Sequence, residues 1–231
     1  MSDPDYTPPE SLVNPVPPVV VLLFVAVIGI EGVFSLGKAG LVGGPAAIGW
    51  RLGALQDYGF FPAFLDYMAQ SRSAPLEVLM RFVSYPFVHG SFQQAVIAGV
   101  MMLALGKFVG EAMRPIPLLI LFVLSSAMGA LIFGLVAPAQ EPLYGAFPPT
   151  YGFIGAYSYM LWIYLRGVGE RQIAAFRLIG LLMAIQLLFG LFFDTGTTWV
   201  AELAAFVTGF GLAPLLLPGG LARLRHKLQR R

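Results

Sequence analysis

Six long apolar runs alternate with polar or Gly/Pro-rich breaks along this chain. On a ~20-residue criterion for crossing a bilayer, they cover Val16–Leu36, Pro86–Gly106, Pro117–Val136, Tyr144–Leu165, Phe176–Phe193 and Thr198–Leu217. Each predicts a helix, because a backbone in hydrocarbon must satisfy its own N–H and C=O groups. Only one connection is long, Gly37 to Met80, and it mixes apolar with polar positions. A long connection with periodicity of its own is usually structured. Trp50, Phe60, Phe61, Phe64 and Tyr67 suit a headgroup-level belt, where aromatic rings anchor. The segment is expected either to lay short amphipathic helices in the outer leaflet or to fold over the bundle.

Composition narrows the class. The 231 residues are 58% hydrophobic and 11% charged, against ~25% charged in average soluble domains. Mean hydropathy is +0.78. These values exclude a soluble globular domain and predict an all-α, multi-pass membrane protein. The expected layout is a disordered acidic tail over 1–15, a six-helix membrane domain over 16–218 with an outer loop over 37–80, and a basic tail over 219–231. There is no cysteine, so disulfides and cysteine catalysis are excluded. His89 and His226 are the only histidines, which leaves no basis for a metal site. No cofactor and no nucleic-acid partner is expected. Without Lys or Arg ahead of Val19, a cleaved signal peptide is not expected.

Charge placement sets the orientation. Lys107, Arg114, Arg166, Arg171, Arg177, Arg223, Arg225, Lys227, Arg230 and Arg231 fall on one side of a six-span topology. Lys38, Arg51, Arg72 and Arg81 fall in the long loop. Positive residues mark the cytoplasmic side, so both termini are expected in the cytoplasm, with a bacterial inner membrane as the host. No internal repeat is evident, which argues against a transporter built from inverted repeats.

The fourth run opens on G-A-F-P-P-T, Gly145 to Thr150, which is expected to break regular helix before Tyr151–Leu165. Gly152 and Ala156 lie four apart, as do Ala201, Ala205, Gly209 and Ala213 in the sixth run. Small residues at that spacing let membrane helices approach closely, so these two spans are expected to pack together.

Arg81 to Glu111 carries an aromatic–x–H–G–S run (Phe87 to Ser91), followed by Leu105, Gly106 and Glu111. This stretch resembles the second span of the rhomboid intramembrane serine proteases. The six runs, the long first loop and the placement of small residues are also similar to that family. The resemblance implies a rhomboid-like fold over roughly Val16 to Leu217. It carries the family's nucleophile position, from G-x-S-G, onto Phe147, and the histidine base onto Glu202. The oxyanion partners fall on Gln94 and Ala98, and the glycine after the nucleophile on Pro148. His89 corresponds to a structural histidine of the family.

These residues do not supply the family's chemistry. A hydroxyl nucleophile needs a base in hydrogen-bond reach; Phe147 has no hydroxyl, Ala98 no donor, and Pro148 no N–H. Phe147 is expected to plug the former nucleophile pocket and to face Glu202 near His89 and Gln94. Glu202 is expected to be exposed at the mouth, or buried and held by a donor such as Gln94. Thr150 is the alternative nucleophile, with Glu202 as a weak base. Glu31, inside the first run, reaches the interface or pairs with Arg51 or Arg81. Gln93 and Gln94 are expected to hydrogen-bond between helices. The leading functional reading is a catalytically inactive rhomboid-like protein that binds transmembrane segments of partner membrane proteins, alone or within a larger membrane complex. The alternatives are an active endopeptidase using other residues, and a small-molecule or ion pathway built on Glu31, Glu202 and Gln94.

Overall fold

A computed structural model describes residues 15–190 and 196–220. The tail over 1–14, the last residues of the fifth apolar run and most of the basic C-terminal tail lie outside the described residues. The described part is helical throughout: α1 Pro18–Lys38, α2 Trp50–Tyr58, α3 Ala63–Ser71, α4 Leu76–Ser84, α5 Phe92–Ala112, α6 Pro115–Val136, α7 Phe147–Gly167, α8 Arg177–Gly190 and α9 Thr198–Leu216. Among the described residues, α1, α5, α6 and α9 are long and apolar enough to cross a membrane. The helix α7 is as long but less apolar, since Pro148, Pro149, Thr150, Tyr151 and Ser158 interrupt it, and all five are buried. It runs between α5, α6 and α9, so protein rather than lipid covers its polar groups.

Three boundaries differ from the sequence expectation, each for a local reason. The second run does not start as one helix at Pro86. Tyr85–Phe87 form a single 3-10 turn, and α5 starts only after Ser91, whose hydroxyl accepts from the Gln94 N–H. A serine in that role satisfies one of the orphan donors at a helix start. The stretch Phe147–Thr150 is regular helix, not a break; the two prolines sit in the first turn of α7, where a missing N–H costs nothing. The fifth run gives a described helix of only 14 residues, preceded by a 3-10 turn over Gln172–Phe176.

The connection after α1 is ordered into α2, α3 and α4 and pinned to the bundle. Phe60 is not a membrane anchor: it is fully buried, and its backbone exchanges both hydrogen bonds with Leu143 (3.0 and 2.8 Å). Its ring and Leu65 lie against Gly134 of α6. Arg81 donates to the carbonyls of Gln56 and Gly59 (2.6 and 3.0 Å) and lies 4.6 Å over the Phe64 ring. Trp50 and Tyr67 remain exposed.

The seam between α7 and α9 is the tightest in the molecule. A Cβ on Gly209 would stand 1.9 Å from the Gly152 carbonyl oxygen, and one on Gly155 would stand 2.1 Å from that of Phe206. A methyl group fits in neither place, so the two backbones touch. Gly155, rather than Ala156, therefore makes the backbone contact; Ala156 is buried in a cluster with Ala98, Phe153 and Ala213. On its other side α9 meets α6, where the Ala201 carbonyl approaches Gly129. By contrast, among the described residues α8 touches little besides the turn that leads into it; Ile179, Leu182 and Met183 join a small cluster with Met101, Ile154 and Phe206.

Candidate functional site

The N-terminus of α7 is held by the turn before it. Gly145 has φ +94°, a left-handed conformation that side chains rarely adopt. A Cβ there would also crowd the Gln94 amide at 3.1 Å and the His89 ring at 3.3 Å. Its N–H donates to the Tyr85 carbonyl (2.9 Å), and the next N–H, of Ala146, donates to His89 Nε2 (3.1 Å). His89 is 1% exposed. Because Nε2 accepts, the neutral ring carries its proton on Nδ1, and Nδ1 is buried without a partner. The histidine thus fixes the chain at the residue before Phe147, a positioning role.

Phe147 is half-buried and packs with the side chains shared by α1, α5 and α7. Pro148 faces Gly129 of α6. The Thr150 hydroxyl is fully buried and donates back to the Ala146 carbonyl (2.7 Å). Its proton is therefore engaged on its own helix, and it does not pair with Glu202. One turn on from Phe147, Tyr151 is buried in a cluster with Phe206 of α9.

Glu202 lies on α9 and is 4% exposed, so it does not stand solvated at the mouth. Its carboxylate accepts a hydrogen bond from the Gln186 amide of α8. Gln94, the expected donor, is placed at the start of its own helix, where its side-chain oxygen accepts from the Gly90 N–H (2.8 Å), and Gln93 is exposed. A carboxylate in hydrocarbon needs partners. The partner it finds comes from α8, whereas Gln94 closes the turn that begins α5. The sequence reading missed Gln186. The available signal was Gln186 as the single uncharged polar side chain between Leu178 and Phe193.

The five positions that the resemblance singled out make different local contacts. Phe147 and Pro148 open α7, Glu202 is tied to α8, Ala98 is buried in the apolar cluster of α5, and Gln94 closes the turn before α5. Glu31, 1% exposed, pairs with Arg51 and accepts from Ser35 (3.0 Å); Arg81 is occupied by carbonyls. Among the described residues no group of three His, Asp or Glu side chains gathers as metal ligands. Among the described residues the hydrogen bond to Glu202 comes from the Gln186 amide, so the site offers a carboxylate and an amide.

A family model described as Rhomboid domain matches residues 76–219, more than half of the chain. Comparison with curated proteins gives no match.

Proposed function

The chain belongs to the rhomboid family, and on that premise we propose that it is a rhomboid without protease activity, one that binds transmembrane helices of partner membrane proteins. The observation that carries this reading is the environment of Glu202. At the position of the family's base stands a buried carboxylate held by Gln186, and at the nucleophile position stands Phe147. Pro148 has no N–H for an oxyanion, and losing one such donor alone costs ~2.7–4 kcal/mol of transition-state stabilisation. The Thr150 hydroxyl, engaged with Ala146, offers no substitute.

Binding is supported by the looseness of α8. A helix of 14 described residues, joined to its neighbours by a small apolar cluster and one polar tie, is a wall that can part from α5. The gap admits a helix from the bilayer. In this reading the protein has six spans, α1, α5, α6, α7, α8 and α9, with both termini cytoplasmic in a bacterial inner membrane. The polar character of α7 follows from its interior place. The protein works without a cofactor, and its partners are membrane proteins, singly or in a complex.

Purified full-length protein should neither cleave a model transmembrane substrate nor react with a fluorophosphonate probe. Photo-crosslinkers at Val100 of α5 and Leu181 of α8, both exposed, should trap single-span test helices, and one at Leu119 of α6 should not. Cleavage that disappears on mutating Thr150 or Glu202 would overturn the reading.

A further inference from the structure

Two clefts run end to end between α1 and α2, on the side of the molecule that holds the ordered connection. The first, about 440 Å³, is lined by Ile30, Val33 and Phe34 of α1, Ala54 and Tyr58 of α2, and the segment that holds Ser84, Phe87 and Val88. Its walls are almost wholly apolar. The second, about 280 Å³, begins at the same Phe34 and continues past Leu52 and Leu55 to Lys38 and Arg51. Following α1 from Ile30 to Lys38, ~12 Å at the helical rise, the lining changes from apolar to cationic in the direction in which a membrane changes from acyl chain to headgroup.

The cationic end is only partly neutralised. Glu31 takes one Arg51 nitrogen, while Arg51 Nε is buried with no partner. Lys38 is exposed and makes no ion pair among the described residues. The carbonyls that end α1 are already used, with Ser35 and Gly37 accepting from Ala39 and Gly40 (both 3.0 Å), so Lys38 is not drawn onto them. Around the clefts Val33, Leu36, Ile48 and Leu52 are exposed apolar side chains, as expected of a surface that faces lipid.

We propose that these joined clefts bind one anionic phospholipid, its acyl chain lying along Val33, Phe34 and Ala54 and its phosphate between Lys38 and Arg51. The first cleft falls in the ~300–1,000 Å³ range of small-ligand sites, whereas a helix ~10–12 Å across does not fit it. The apolar half cannot set the preference, because an acyl chain leaves a bilayer that is equally apolar. Discrimination therefore comes from the headgroup, and the apolar cleft fixes where that headgroup sits. This inference rests on α1, α2 and the segment over 84–88 and holds whether or not the protein cleaves or binds helices.

Native mass spectrometry of the full-length protein, released from micelles doped with phosphatidylglycerol or phosphatidylcholine of matched chains, tests it. Wild type should retain phosphatidylglycerol in preference to phosphatidylcholine. Lys38→Gln should cut that preference about fivefold, the effect of one basic residue at a membrane surface, and Lys38→Arg should keep it. Ala54→Trp, which fills the apolar half, should lower retention of both lipids. Equal retention of the two lipids by wild type, or an unchanged preference in Lys38→Gln, overturns the proposal. So does retention of free glycerol phosphate as strong as that of the lipid, which would make this an anion site with no role for the acyl cleft.

Discussion

Two of the helices that flank α9, α7 and α8, are attached to it in opposite ways. Against α7 it is fitted by shape: Gly152, Gly155 and Gly209 bring backbone onto backbone, with no room for a methyl group. Against α8 it is tied by chemistry: one amide–carboxylate hydrogen bond, Gln186 to Glu202, beside a small apolar cluster. In lipid no hydrophobic force drives helices together, so association rests on packing and on polar contacts. Packing over many atoms is stiff and fails when volume is added. A single polar tie is weaker and fails when its partner is exchanged. The same helix thus has one permanent face and one that can be released.

The largest expected effect comes from breaking the fitted face. Gly209→Leu forces a side chain onto the Gly152 carbonyl, already 1.9 Å from an added Cβ. Overpacking costs typically ~1–3 kcal/mol, and here the obstacle is backbone, which cannot rotate away. Thermal unfolding in detergent should fall by several degrees, with Gly155→Leu close behind. Ala204→Leu, on the same helix but only half-buried, should be tolerated. Wild-type melting in both glycine variants would move the α7–α9 contact elsewhere.

A smaller effect is expected at the tied face. A double-mutant cycle with Gln186→Leu and Glu202→Leu should give a coupling near ~0.6–1.7 kcal/mol, the range of interhelical hydrogen bonds in membranes. Gln186→Leu should also raise crosslinking of test helices at Leu181, since α8 then lacks its polar hold. Amides of α8 should exchange faster than those of α7 and α9 in wild type, because a segment with few buried contacts opens at low cost. Additive single variants would show that the pair does not interact.

The fitted face was legible in the sequence and the tied face was not. Small residues four apart in two apolar runs are a local signal, and Gly152, Ala205 and Gly209 stand where that spacing puts them. The choice of Gly155 over Ala156 depends on helix rotation, which residue spacing alone does not fix. The proline pair Pro148–Pro149 pointed to a break because prolines disrupt helix interiors; their place in the first turn depended on where the helix begins, and that is set by Gly145, Tyr85 and His89 from distant parts of the chain. The partner of Glu202 was unreadable for the same reason. Gln186 and Glu202 are 16 residues apart, and nothing local distinguishes that amide from Gln94, which turned out to bind the Gly90 N–H. Phe60 looked like an interfacial aromatic on composition, yet its backbone pairing with Leu143 carries the ring inward.

The smallest expected effect sharpens the contrast at the start of α9. Glu141, in the connection between α6 and α7, accepts from both the backbone N–H and the hydroxyl of Thr197 (2.6 and 2.7 Å). The carboxylate satisfies an orphan donor at the helix start and places negative charge where the helix dipole favours it. It therefore fastens α9 to the fixed part of the bundle, on the α6–α7 side and not toward α8. Glu141→Gln keeps the length and loses the charge, so the cost should be roughly 0.5–1 kcal/mol, a shift of a degree or two in melting. Crosslinking of test helices at Leu181 should not change, because the tie between Gln186 and Glu202 is left intact. The two variants are then mirror images: Glu141→Gln lowers stability slightly at constant helix capture, and Gln186→Leu raises capture. If Glu141→Gln increased capture as much as Gln186→Leu does, α9 itself would be the moving element, and the division into a fixed and a releasable face would be lost.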